Sequence, residues 1–328
     1  MSAITKAAIS IFALSIAVAL IINGEIAKSG FLAQDILKEE SFNYTVNFCA
    51  SDDCPGLVAA ALRGARSTIE CAFYRADSYV FGNVSAAATA AFVLDEKAKI
   101  AGQRNISVFK SNGNGIMHNK YCVIDHARII TGSFNPTAAA KNDYNNLIMI
   151  NSSFLAGFYM ENFEFLKTRS NQKHKTKKPV MLNRSIVEAY FCPIDDCAGA
   201  VERKIARANS SIFFAAYSFT HPDIANEIIL KESEGVSVSG VFEKSMAGTS
   251  YSKHALMAAN GVSVRLETSG RLMHHKFFVI DNETVITGSF NPTANAAEKN
   301  DENLLIIKNK NLATAYYKEF SRILSAGD

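Results

Sequence analysis

The chain repeats itself. Met117–Thr137 (MHNKYCVIDHARIITGSFNPT) matches Met273–Thr293 (MHHKFFVIDNETVITGSFNPT) at fourteen of the 21 positions. Upstream, Phe48–Cys54 (FCASDDC) matches Phe191–Cys197 (FCPIDDC), and Ser67–Tyr74 (STIECAFY) matches Ser210–Tyr217 (SSIFFAAY). Self-similarity of this kind means two copies of one folding unit. The upstream pairs are offset by 143 residues and the long pair by 156, so the second copy holds 13 extra residues between Tyr217 and His274.

Each copy alternates helical and strand patterns. Helix-like stretches at Leu57–Arg66 and Ala200–Ala208 precede the apolar strands, and terminal strands at Leu147–Ile150 and Leu304–Ile307 precede helices at Phe154–Lys167 and Leu312–Leu324. The second copy reads helix–strand–helix–strand through Ile224–Lys231, Val236–Phe242, Ser252–Asn260 and Val262–Leu266, where the first is shortened and Ala-rich at Ala86–Ala91. This pattern argues α/β layers. Two such units, each too small to cover both faces of its sheet, are expected to pack as a pseudo-dimer within one chain. We place the copies at 41–166 and 181–328 and a basic linker at 167–180. Lys167–Lys178 carries no acid and reads as a solvated connector, or as a hold on a nucleic acid backbone.

Residues 1–24 stand apart. Ala7–Ile22 is apolar except for two serines. It is short for a span of roughly 20 residues and fits a short membrane anchor, the core of a signal peptide, or a buried helix. Residues 25–40 then form a juxtamembrane segment, and both export readings put the main body outside the cytoplasm. Export would let Cys49/Cys54 and Cys192/Cys197, each spaced Cys-x4-Cys, close small disulfide loops. A zinc site using all four is the rival reading. Cys71 and Cys122 sit in apolar runs and read as buried thiols. A net charge of +3 neither requires nor opposes a polyanionic partner.

Residues two apart on a strand share a face, so His118 pairs with Lys120 and Ser133 with Asn135. A hairpin folded about the polar break Asp125–Arg128 sets Lys120 opposite Ser133 and His118 opposite Asn135. The second copy repeats this with Lys276, Ser289, His274 and Asn291. That set suits a phosphodiester: lysines and amides neutralise non-bridging oxygens, one imidazole attacks phosphorus, and the other serves the leaving oxygen and then water. One copy offers one suitable histidine, so two facing copies make one complete site. No metal or cofactor is needed, and no partner chain either.

His118-x-Lys120-x4-Asp125-x6-Gly132-Ser133-x-Asn135, with its twin from His274 to Asn291, resembles the HKD motifs of the phospholipase D superfamily. The resemblance covers the chain from about Phe48 onward. It implies a covalent phosphohistidine intermediate, no metal, and phosphate contacts from Ser133, Asn135, Ser289 and Asn291. Asp125 and Asp281 are expected to anchor their hairpins; their presence argues against the tyrosyl-DNA phosphodiesterase branch. Downstream the copies differ. Glu302 matches the acid that, in the family's small endonucleases, orients the histidine of the opposite subunit, while the first copy aligns Asn145 there. Glu302 is thus expected to serve His118 as nucleophile, leaving His274 as general acid/base, oriented by Asn145 or by Asp143.

Other histidines are read as ordinary. His275 faces away from the site, His126 lies in a turn, and His174, His221 and His254 are surface residues. Tyr74 and Tyr217, at matched strand ends, are read as core. The motif context resembles compact and membrane-tethered nucleases, so DNA or RNA is the preferred substrate. A phospholipid cleaved by a phospholipase D or cardiolipin hydrolase is the alternative, and a non-catalytic nucleic-acid or membrane binding module a third reading.

Overall fold

The computed structural model describes residues 36–41, 43–98, 106–111, 113–170 and 178–326. The apolar run at 7–22, with its anchor and signal readings, lies outside the described residues. Among those described, no helix is long and apolar enough to cross a membrane.

The first repeat builds a seven-stranded sheet from β2 (Asn43–Phe48), β3 (Thr68–Phe73), β4 (Thr89–Asp95), β5 (Ile106–Ser111), β6 (Lys120–Ile124), β7 (Arg128–Gly132) and β8 (Asn146–Asn151), in the order β2-β8-β7-β6-β3-β4-β5. The second uses β10 (Ser185–Cys192), β11 (Ser211–Ala216), β12 (Ser237–Phe242), β13 (Ser263–Leu266), β14 (Lys276–Ile280), β15 (Thr284–Gly288) and β16 (Glu302–Lys308) in the matching order β10-β16-β15-β14-β11-β12-β13. Its sheet is extended at the β10 edge by β9 (Val180–Leu182) and then β1 (Leu37–Glu39). The end of the segment expected to be juxtamembrane is therefore part of the second repeat's sheet. The first copy keeps its strands; its short helix α2 (Ser78–Gly82) stands where the second copy has Pro222–Ser233.

Strand alternation divides each sheet between two cores. On β6, Tyr121 and Val123 face a core shared with the second repeat, while Cys122 and Ile124 face the first repeat's outer core. The shared core takes Leu155, Tyr159 and Phe163 of α3 (Ser153–Thr168) and Leu312, Tyr316 and Phe320 of α6 (Lys310–Ala326). The outer faces are covered by α1 (Cys54–Arg63) in one repeat, and by α4 (Cys197–Ala206) and α5 (Pro222–Ser233) in the other. Strands covered on both sides lose the apolar–polar alternation, which is why KYCVI and KFFVI are buried throughout.

Cys49–Cys54 and Cys192–Cys197 form disulfides. Each closes a loop whose aspartate, Asp53 or Asp196, caps the following helix by accepting from the N–H of Gly56 or Gly199. Cys71 and Cys122 are not free thiols. They are direct partners across β3 and β6 and form a third disulfide. Adjacency of strands that are distant in sequence decides this, and neither apolar run signals it.

The hairpin register is one residue from expectation. The break is three residues, not four: Asp125 and His126 take φ of +53° and Arg128 pairs directly with Ile124. The ladder then carries Lys120 towards Gly132 and not Ser133. The second hairpin repeats this, with Thr284 paired to Ile280. Gly132, at φ +141°, lies so close to the Asn146 carbonyl that a Cβ would come within 2.2 Å of its oxygen. Gly132→Ala is expected to cost about 2–4 kcal/mol through backbone clash and strain, whereas Gly157→Ala, on α3 with open space around it, should be neutral or stabilising by up to about 1 kcal/mol. Urea denaturation of the two variants checks this, and equal effects would contradict the account.

Candidate active site

The motif segments of the two repeats pair with each other. The N–H of His118 donates to the carbonyl of Asp301 at 2.9 Å, and that of Asp301 to Ile116 at 3.0 Å. In the mirror arrangement, the N–H of His274 donates to Tyr144 and that of Tyr144 to Leu272, both at 2.9 Å. Beneath lies a buried polar seam. Asn146 Nδ2 donates to Thr287 Oγ1 at 2.8 Å, and the matched Asn303 Nδ2 to Thr131 Oγ1 at 2.7 Å. Asn303 Oδ1 also accepts the Lys120 N–H.

This seam brings both histidines to one cleft of about 960 Å³, lined also by Tyr74, Arg75, Asn135, Tyr217, Lys253 and Asn291. His118 Nδ1 sits 2.8 Å from both carboxylate oxygens of the fully buried Glu302. His274 Nδ1 sits 2.8 Å from Asn145 Oδ1. Each ring thus donates its Nδ1–H to a partner from the other repeat, which leaves Nε2 for chemistry. One partner is an anion and the other a neutral amide. Asp143 lines the cleft, but Asn145 holds the His274 ring.

Ser133 and Ser289, expected at the phosphate, are fully buried behind the histidines. Ser133 Oγ donates to Asn145 Oδ1 and accepts from the Asn146 N–H. Ser289 Oγ donates to Glu302 at 2.5 Å and accepts from the Asn303 N–H. They fix the residues that fix the rings. Asn135 and Asn291 do line the cleft.

Asp125 and Asp281 lie away from it. Asp125 accepts the N–H groups of Arg66, Ser67 and Thr68, and Asp281 those of Asn209, Ser210 and Ser211. Burial raises each carboxyl, but these donors outweigh it and hold both below the ordinary aspartate value. His275 is fully buried, 3.0 Å from Glu319 and 3.2 Å from Asn146.

Tyr74 and Tyr217 are not core residues. Each meets a histidine edge-on, at centroid distances of 5.1 and 4.9 Å, with Lys120 and Lys276 Nζ 5.5 and 5.0 Å from their rings. Asp95 and Glu243, at matched strand ends, accept the N–H of Met117 and Met273 and so hold the residue before each histidine. Their matched position after Ser67–Tyr74 and its twin was the available signal, hidden by the length difference between the copies.

Similarity to known proteins agrees with this geometry. A family model described as cardiolipin synthase, PLD-like domain, matches residues 38–167 and 201–324. The chain belongs to the phospholipase D superfamily. The mitochondrial cardiolipin hydrolase of Xenopus tropicalis is 34% identical over 135 residues, 40% of this chain, and the chain spans 64% of that relative's length. The phospholipase D of Rickettsia prowazekii (strain Madrid E) is 29% identical over 195 residues, covering 56% of this chain and 95% of the relative. The crystal structure of phosphatidylserine synthase from Haemophilus influenzae Rd KW20 superposes with a TM-score of 0.67 over 86% of each chain at 13% identity, a likeness of fold.

Burial and mutual repulsion depress the basic groups of this cluster. Burial pushes His118 down to about 4, with Glu302 only partly opposing it. His274, whose Nδ1 partner is an amide, is lowered well below the ordinary histidine value by burial and by both lysines. Burial also lowers Lys120 to about 7, against the pull of Glu302, and lowers Lys276 strongly. Among the groups acting on the two lysines, only Glu302 brings negative charge.

The kcat/KM for a phosphodiester is therefore expected to fall as pH rises through about 7, where free-enzyme Lys120 loses its proton. Glu302→Gln removes the charge that keeps that proton on, so it should move this limb to lower pH and cut kcat by about 10²-fold or more. An alkaline limb near the ordinary lysine value of about 10.4, unmoved in the variant, would contradict the assignment.

Proposed function

We propose that this chain is a metal-independent phosphodiesterase that acts through a phosphohistidine on His118, with single-stranded nucleic acid as its preferred substrate. The observation that carries the catalytic assignment is the unequal pairing of the two rings. A carboxylate on Nδ1 makes the His118 imidazole more basic and stabilises the cation formed when Nε2 bonds to phosphorus. The amide on His274 fixes the tautomer without adding basicity, which suits a group that must release a proton to the leaving oxygen and then take one from water.

In this mechanism the diester seats between Lys120 and Lys276, with Asn135 and Asn291 on its non-bridging oxygens. Nε2 of His118 attacks phosphorus in line as His274 protonates the departing oxygen. Water, deprotonated by His274, then attacks the phosphohistidine and frees the product phosphate. Ser133, Ser289, Asp95 and Glu243 position these groups from behind.

The cleft wall supports a polynucleotide. It offers Arg75, Lys253, Asn295, Asn300, Thr137, Ser218 and Thr220 as polar contacts and three tyrosines, Tyr74, Tyr217 and Tyr251, as stacking faces. A phospholipid is the second reading. It is favoured by Leu272 and Tyr251, which line the same cleft and are 38% and 78% exposed, and by the names of the relatives.

Assays with EDTA present on single-stranded oligonucleotides and on cardiolipin vesicles discriminate between them. The proposal expects oligonucleotide cleavage that weakens steeply with salt, a raised KM in Arg75→Ala and Lys253→Ala, and a loss of at least about 10³-fold in His118→Ala. Vesicle hydrolysis without oligonucleotide cleavage would replace the preferred substrate with the lipid. Activity that falls to the uncatalysed rate with EDTA would remove the mechanism.

A further inference from the structure

His221 was expected at the surface; it is 8% exposed and stands immediately before α5. Its Nδ1 is buried with no hydrogen-bond partner among the described residues. Glu202 Oε1 of α4 lies 3.9 Å from it, too far for a hydrogen bond. A buried imidazole nitrogen left facing a carboxylate at that distance is costly unless something bridges them. Asp223, in the first turn of α5, completes the group: one ligand atom from each of Glu202, His221 and Asp223 lies within 4.8 Å of the others. Asp223 is exposed and Glu202 partly so, which leaves an entry path from solvent.

We propose that Glu202, His221 and Asp223 bind a divalent first-row transition metal ion, with zinc the best match, at a site separate from the catalytic cleft. One imidazole nitrogen and two carboxylate oxygens form a donor set that such ions accept, with water completing the shell. Arg203 is engaged 2.9 Å away with Asp196.

The site would be structural. It would tie α4 to the start of α5, and the N–H groups of Thr220 and His221 both donate to the carbonyl of Pro292, next to Asn291. An ion here would therefore stiffen the cleft wall formed by Tyr217, Ser218, Thr220 and Asn291 without touching a reacting atom. The inference does not rest on the proposed function.

The test is calorimetric titration of the EDTA-stripped full chain with zinc alone, with Co²⁺ absorption as a second readout. One equivalent is expected to bind, to raise the melting temperature, and to weaken at least about tenfold in Glu202→Gln and again in Asp223→Asn. His274→Ala, which removes the catalytic imidazole, should leave that equivalent in place. Both carboxylate variants are at partly or fully exposed positions, and unliganded melting temperatures confirm that they fold. Zinc binding unchanged in both variants, or abolished only in His274→Ala, would overturn the proposal. So would no binding by the wild-type chain, leaving a plain imidazole–carboxylate pair.

Discussion

Each repeat completes the other's histidine. His118 is oriented by Glu302 of the second repeat and His274 by Asn145 of the first, so neither half contains a finished catalytic group. The crossing works only because the backbone segments that carry these residues are hydrogen-bonded across the same boundary, with Asn146 and Asn303 bridging the layer below. A shift of one sheet relative to the other would leave several buried polar groups unpaired at once, each at roughly 1–3 kcal/mol. The seam thus sets the relative placement of the two repeats as strictly as the shared apolar core, and with directional bonds that the core lacks.

That strictness explains how the fold tolerates two lysines and two histidines in one buried cluster. Lys120 and Lys276 each donate to the carbonyl two residues earlier, at 2.7 Å. Those bonds aim the ammonium groups but leave their charge largely uncompensated, apart from Glu302. The resulting depression of both lysines and both histidines is a preorganised demand for an anion. The sequence asymmetry at Glu302 and Asn145 breaks an otherwise near-symmetric cluster, and it does so at the partners of the two Nδ1 atoms, which is the basis of the proposed choice of nucleophile.

The candidate site was legible because its information is local. The two motifs fix His118, Lys120, His274 and Lys276, and the spacing of the aspartates, glycines and asparagines fixes the hairpins they stand on. The contact of Glu302 with His118 across the repeats was expected from the family resemblance, and comparing the copies added only that Asn145 stands in its place in the first. What escaped the sequence was non-local. Cys71 and Cys122 pair because β3 and β6 are neighbours in the sheet. Ser133 and Ser289 bond Asn145, Asn146, Glu302 and Asn303 because β8 and β16 lie beside their strands. Tyr74, Tyr217, Asp95 and Glu243 acquire roles from the strands beside them, and His221 from a helix packed against its own.

The account's central claim is that His118 and His274 act on one phosphorus atom with His118 as nucleophile. It is tested most directly by mass spectrometry of the His274→Asn variant, acid-free and rapidly quenched, after mixing with an aryl phosphodiester whose leaving group needs no proton. Attack should then proceed while hydrolysis stalls for want of a base. The account predicts a burst of released phenol and a phosphoryl adduct on the peptide containing His118. No burst, or an adduct on any other residue, would contradict it.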